Sequence, residues 1–155
     1  MSTFFDYANE FGASGSDRGP VFLAGLNDVE WDRIIVLMER LRFASGDVVM
    51  ARGEADRSLY LIASGSVEVL VGHGRKESAV RVQGPGTILG EVAFFDGMAR
   101  SATVRALEAS EVLSLSAEQF DVLAARHPDI GRKILLDLGR ILAARLRQAE
   151  KRDGR

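Results

Sequence analysis

The sequence predicts an α+β fold that is mainly β: a sandwich, barrel or jelly roll with one helix before it and two after. Three observations predict it. Between Gly46 and Leu115, short stretches rich in Val, Ile and Leu alternate with glycine-containing turns. On both sides of that region the apolar spacing changes from two residues to the three-and-four of an amphipathic helix. The chain has 155 residues, 46% hydrophobic and 27% charged, which suits one ordinary globular domain. A chain of this size buries about two-thirds of its unfolded surface and needs no covalent staples.

Taken in order, residues 1–20 are weakly patterned. Phe4, Phe5, Tyr7 and Phe11 precede Gly12, Ser14, Gly15, Ser16 and Gly19, so a short aromatic tab and then a flexible linker are expected. The stretch Met1 to Gly19 has no basic leader or apolar run and carries Asp6, Glu10 and Asp17, which is unlike a signal peptide. A domain is expected over residues 21–150, with 151–155 as a tail. Residues 27–42 are expected to be helical: Asn27 and Glu30 stand at capping-box spacing, and Trp31, Ile34, Ile35, Met38 and Leu41 then share a face.

The β region is expected over 46–115. Its turns include Gly46-Asp47, Gly65-Ser66, Gly72-His73-Gly74 and Gly84-Pro85-Gly86, those at 46, 65 and 84 being evenly spaced. Alternation is clear in Val67-Glu68-Val69, Val80-Arg81-Val82, Thr103-Val104-Arg105 and Val112-Leu113-Ser114-Leu115. Helices follow over 117–150. Ser116 and Gln119 make a second capping box ahead of Phe120, Val122 and Leu123, and Pro128 opens a long terminal helix. Ile130, Ile134, Leu135, Leu138, Ile141, Leu142 and Leu146 form its apolar stripe. Gly139 and Ala143, four residues apart, suit close packing, within the chain first and along a dimer seam second.

Composition excludes several classes of function. With no cysteine there are no disulfides, thiolate metal sites or cysteine nucleophiles. The two histidines, His73 beside a glycine on either side and His127 before Pro128, read as a hairpin residue and a helix-start residue. Neither has a partner at metal spacing, so no metal is assigned. No nucleophile–base pair and no Walker loop is present, so the chain is not read as an enzyme. The net charge of −2 argues against a general polyanion binder. Residues 126–155 are locally basic, with Arg126, Arg132, Lys133, Arg140, Arg145, Arg147, Lys151, Arg152 and Arg155, and this is read as a solvated helix face. No apolar run approaches the roughly 18 residues of a membrane span, and the expected location is the cytoplasm.

The segment that carries chemistry is Gly90 to Val104. After the apolar strand end Ile88-Leu89, Gly90 and Glu91 lead into Val92–Phe95, enough for one helical turn, which Asp96-Gly97 ends. Arg100-Ser101-Ala102 then enters the next strand. A helical turn with glycine at its entry exposes backbone N–H groups to an anion, and Arg100 supplies a planar fork that can grip two oxygens of a phosphate. Glu91 would repel a phosphate, so its partner is a neutral donor such as a ribose hydroxyl. One phosphate charge and one ribose hydroxyl on a single ligand describe a 3′,5′-cyclic nucleotide.

These residues, Gly-Glu-Val-Ala at 90–93 and Arg-Ser-Ala-Thr-Val at 100–104, resemble the phosphate-binding cassette of the cyclic nucleotide-binding domain family, represented by the catabolite activator protein and the regulatory subunit of cyclic-AMP-dependent kinase. The resemblance runs over about residues 21–147. It implies an eight-stranded β-roll with a short helix in the cassette. It also implies that Glu91 binds the ribose and Arg100 the phosphate. Gly90, Val92 and Ala93 would lie against the sugar phosphate, Ser101 and Ala102 near the phosphate or base, and Val69, Val80 and Leu89 along the base. The last helix would act as a lid, with Leu138, Ile141, Leu142 and Arg145 as candidates. Cyclic AMP is preferred to cyclic GMP as the expected ligand, although Ser101 offers a hydroxyl suited to guanine.

Unlike the activator proteins, the pattern ends near Arg155 with no helix-turn-helix DNA-binding domain, so a stand-alone sensor, or a piece of a longer protein, is expected to signal to an effector protein or a second copy. The alternative is a ligand-free module of the same fold that serves protein interaction or dimerisation. The presence of both Glu91 and Arg100 argues against it.

Overall fold

A computed structural model describes residues 22–72 and 74–153. The expected aromatic tab and linker, and His73, lie outside the described residues.

The chain enters at Phe22, whose N–H bonds the Gly86 carbonyl, while the Leu23 N–H donates to Asp137 at 2.6 Å. Helix α1 (Asp28–Ile35) starts in the expected capping box: the Glu30 N–H donates to the Asn27 side chain at 2.9 Å and the Asn27 N–H to the Glu30 carboxylate at 3.3 Å. The helix is shorter than the expected 27–42. Glu39–Phe43 is strand β1, paired residue for residue with β8 from Glu39↔Ser114 to Phe43↔Ser110. The reason is visible in Leu41 and Phe43, which alternate with charged Arg40 and Arg42 and pack inward. A helix would scatter that pair and forgo five ladder positions. Arg40 and Arg42 both lie against Glu111 of the partner strand. The roll therefore begins at Glu39 rather than Gly46.

The remaining strands are β2 (Val48–Met50), β3 (Leu59–Ser64), β4 (Val67–Val71), β5 (Ser78–Gln83), β6 (Ile88–Leu89), β7 (Thr103–Ala106) and β8 (Ser110–Leu115). Helix α2 (Glu91–Asp96) lies between β6 and β7, and α3 (Ala117–Arg126) and α4 (Pro128–Asp153) follow β8. The strands form two antiparallel four-stranded sheets, in the orders β1-β8-β3-β6 and β2-β7-β4-β5. This is the expected β-roll with flanking helices.

Two cores hold it together. Tyr60, Ile62, Leu89 and Val112 from the first sheet meet Met50, Val67, Val69 and Val104 from the second inside the roll. Leu59, Leu61, Ala63, Ile88, Leu113 and Leu115, on the opposite face of the first sheet, meet Trp31, Ile34, Phe120, Leu123, Ile130, Ile134, Leu138 and Ile141 of the helices. A strand covered on both faces needs apolar residues at every position, which is why β3 reads Leu-Tyr-Leu-Ile-Ala without a charge. Ser116 caps α3 by accepting from the Gln119 N–H at 3.1 Å. Among the described residues nothing packs on Gly139: a Cβ there would meet nothing within 4 Å, and both it and Ala143 are exposed. Among the described residues no helix is long and apolar enough to cross a membrane, and no three His, Cys, Asp or Glu are grouped as metal ligands.

Candidate ligand-binding site

The cassette is built by two left-handed residues bracketing α2. Gly90, at φ +86°, turns the chain from β6 into the helix, and Gly97, at φ +69°, closes it with its N–H on the Ala93 carbonyl at 2.9 Å. Between them α2 buries Phe94 edge-on against Phe120 of α3, which fixes the helix to the outer core. That orientation turns Glu91, only 4% exposed, towards the roll. Arg57 fastens the other end by donating to the Phe94 carbonyl at 2.8 Å.

The return loop is pinned as firmly. The Arg100 N–H bonds the Glu54 carbonyl at 2.8 Å and its own carbonyl accepts from Gly53 at 2.9 Å. The Arg100 side chain then turns inward and is 3% exposed. Its Nη1 donates to the Gly90 carbonyl at 3.1 Å, and its Nη2 to the Ser58 carbonyl at 2.7 Å and to Asp56 at 3.1 Å. The guanidinium carbon stands 5.4 Å from the centre of the Tyr60 ring. Its Nε is buried and meets no acceptor among the described residues. A Cβ on Gly90 would lie 2.7 Å from both Arg100 Nη1 and the Ser58 carbonyl, so glycine is needed there for space as well as for φ.

Asp56 ties this cluster together. Burial pushes its carboxyl up, but hydrogen bonds from Tyr60 and Ser58 and the charge of Arg100 outweigh it and bring the pKa down to about 2. The Tyr60 hydroxyl, 2.6 Å from Asp56, is pushed up to about 12 by burial and by that carboxylate. Asp56 and Tyr60 thus stay ionised and neutral respectively around neutral pH, and Arg100 keeps its counter-ion.

Nine of the ten ligand residues expected from the sequence line one cavity of about 60 Å³: Val69, Leu89, Gly90, Glu91, Val92, Ala93, Arg100, Ser101 and Ala102. Val80 does not. It packs against the inner core, and its neighbour Arg81 lines the cavity instead. A register shift between β4 and β5 after Val69 is the cause: it pairs Val69 with Arg81 and Leu70 with Ala79, leaving Val80 over. Met50, Arg81 and Val104 were not anticipated. A lone arginine within the apolar run Val80-Arg81-Val82 was the available signal for one of them.

The lid candidates divide. Leu138 and Ile141 are buried in the helix-side core, and Leu142 is half-buried. Arg145 touches the cassette: its Nη1 is ion-paired with Glu91 and its Nη2 donates to the Ile88 carbonyl at 2.8 Å. It is therefore not part of a solvated basic face. The cavity is well below the roughly 300–1,000 Å³ typical of pockets that enclose small organic ligands. The two groups expected to hold a ligand face it together but are held by Asp56 and by Arg145 of α4.

Comparison with known proteins fits this geometry. The chain is 32% identical over 134 residues to the cyclic AMP receptor protein of Thermus thermophilus, covering 86% of this chain and 60% of that protein's length. The crystal structure of the Thermus thermophilus catabolite activator protein superposes with a TM-score of 0.75 at 32% identity, over 86% of this chain and 61% of that one. A cyclic nucleotide-binding domain from Methylobacillus flagellatus superposes with a TM-score of 0.79 at 25% identity, over 96% and 79%. The family model for the cyclic nucleotide-binding domain matches residues 40–127, more than half of the chain and the whole cassette. On the roll, the cassette and this match, the chain belongs to the cyclic nucleotide-binding domain family.

Proposed function

We propose that the chain is a non-catalytic sensor that binds a 3′,5′-cyclic nucleotide through Arg100 and Glu91 and signals through α4. The observation that carries this reading is the Arg100 guanidinium, 3% exposed, with a buried Nε that has no acceptor among the described residues, in the same cavity as a buried carboxylate. An arginine placed for structure alone would have its donors satisfied by the fold. Here one donor is left for an anion, and Nη2 becomes a second when the cyclic phosphate displaces Asp56. The ribose 2′-hydroxyl donates to Glu91.

The same contacts give the signal its route. Glu91 now holds Arg145, and Arg145 holds the end of β6. A ribose at Glu91 and an enlarged cavity favour a different placement of the cassette relative to α4, so ligand shifts the population between two positions of that helix. The stripe Leu135, Gly139, Leu142 and Leu146, at coiled-coil spacing and exposed except at the half-buried Leu142, supports a second copy of the chain as the partner that feels the shift. Light scattering tests it: a dimer that Leu146→Glu converts to a monomer supports the seam, and a monomeric wild type refutes it. A cytoplasmic location fits the ligand.

The Thermus relative is named for cyclic AMP, which makes that nucleotide the first candidate. The sugar-phosphate end of the cavity does not itself distinguish adenine from guanine. Calorimetry with cyclic AMP and cyclic GMP tests the reading. Wild-type binding that Arg100→Gln weakens at least a hundredfold supports it, since the phosphate then loses its charged donors. No heat with either nucleotide on a folded wild type refutes it.

A further inference from the structure

Helices α3 and α4 leave an open groove of about 470 Å³ between them, which shares no lining residue with the ligand cavity. Its floor is Phe120, Ala124 and Gly131, all buried or half-buried. The helices approach closely there, since a Cβ on Gly131 would stand 2.9 Å from the Ala124 Cβ. The rim is Leu135 and Leu136, 42% and 48% exposed, with Arg132 as the one charged residue that lines the groove. Adjacent leucines left in water beside a concave apolar surface mark a place where something docks. The chain enters the domain close by. Asp137, the residue after Leu136 in α4, holds the Leu23 N–H at 2.6 Å. That anchor is roughly 9 Å along the helix axis from Gly131.

We propose that residues 4–11 of the same chain, the aromatic tab, occupy this groove. Phe4, Phe5, Tyr7 and Phe11 put four aromatic residues into eight positions of a chain that is only 7% aromatic. Phe4, Tyr7 and Phe11 recur at the spacing of one helical face, the pattern of a helix that lays its apolar side in a groove. Asp6 and Glu10, four residues apart, flank that face, and no basic side chain occurs before Arg18, which complements the cationic rim at Arg132. The tether is long enough. Ten residues rich in glycine and serine, 12–21, separate Phe11 from Phe22. A linker of that kind spans about 17 Å on average and keeps the segment near millimolar effective concentration. A modest contact therefore suffices, and a free partner has to compete with it. The docked segment would bridge α3 to α4, the helix through which the signal is proposed to leave, yet the inference does not depend on the nucleotide.

Paramagnetic relaxation in the full chain tests it. The chain has no cysteine, so Asn9→Cys carries a nitroxide at a single site, off the aromatic face. The inference expects the methyl signals of Leu135 and Leu136 to broaden at least threefold more than those of Val48 and Val82, exposed residues of the sheet that does not pack on the helices. Replacing the anchors together, Phe4→Ser, Tyr7→Ser and Phe11→Ser, should abolish that margin. Arg132→Glu, which reverses the rim charge, should at least halve it at low salt. Thermal melting checks the fold of each variant. Uniform broadening, or a margin unchanged by either set of substitutions, overturns the inference. A mixing experiment separates the chain's own segment from a neighbour's. Nitroxide-bearing chain is added to an isotope-labelled copy without nitroxide, both carrying Leu146→Glu to remove the seam on α4. The labelled copy should stay sharp. Broadening of its Leu135 and Leu136 signals would give the groove to a second copy and overturn the inference.

Discussion

Replacing Gly90 with alanine tests the cassette at its tightest point. The backbone there has φ +86°, which costs a residue with a Cβ roughly 1–2 kcal/mol. The added Cβ would also stand 2.7 Å from the Ser58 carbonyl and from Arg100 Nη1. Ser58 directly precedes β3 and its carbonyl is fixed by the bond from Arg100 Nη2, so the guanidinium is the group that gives way. Moving it sacrifices one charge-assisted bond, to the Gly90 or the Ser58 carbonyl, worth about 1.5–3 kcal/mol. The sum is about 3–5 kcal/mol, which for a domain of this size lowers Tm by roughly 6–20 °C. Thermal denaturation followed by circular dichroism measures it, and nucleotide titration of the folded fraction measures the companion effect, a loss of affinity of at least tenfold. A variant that melts within 2 °C of wild type and binds nucleotide equally well would refute both the strain argument and the placement of Arg100.

Other perturbations probe the surrounding contacts. Arg145→Gln leaves the buried Glu91 without its cation, and its expected cost is about 2–4 kcal/mol in urea denaturation, since removing one partner of a largely buried pair strands the other. Hydrogen exchange of α4 in that variant should no longer respond to nucleotide, whereas a response like that of wild type would remove Arg145 from the signalling route. Acid should weaken the fold through Asp56. Its folded pKa of about 2 lies below the ordinary 3.8, so its contribution is complete above pH 4 and disappears as the pH falls towards 2. Asp56→Asn should flatten that part of the stability–pH curve, and a curve unchanged by the substitution contradicts the assignment. Asn27→Ala removes the acceptor of the α1 capping box and should cost about 1 kcal/mol of stability.

The cassette was legible in the sequence because its chemistry is local: Gly90, Glu91 and Arg100 lie within eleven residues, and the turns that aim them are made by the glycines themselves. Both capping residues were legible for the same reason. Strand β1 was not, because Trp31, Ile34, Ile35, Met38 and Leu41 continue a helical spacing past the point where pairing with β8 takes over, and that pairing joins residues some seventy positions apart. Arg81 was hidden by the bulge between β4 and β5: simple alternation allows either Val80 or Arg81 to face inward, and one extra residue decides which. The engagement of Glu91 by Arg145 joins residues 54 apart, and nothing in local spacing announces it. Gly139 and Ala143 suggested close packing within the chain, but among the described residues nothing packs on Gly139 and both positions are exposed.

The central claim is that a cyclic phosphate takes the unsatisfied Nε of Arg100. The most direct measurement is the nitrogen-15 NMR signal of that Nε–H, assigned by its loss in Arg100→Lys and followed while nucleotide is added. The account predicts a large downfield shift of this one arginine signal, complete at one equivalent of nucleotide. A nucleotide that binds while the Arg100 signal stays in place would contradict it.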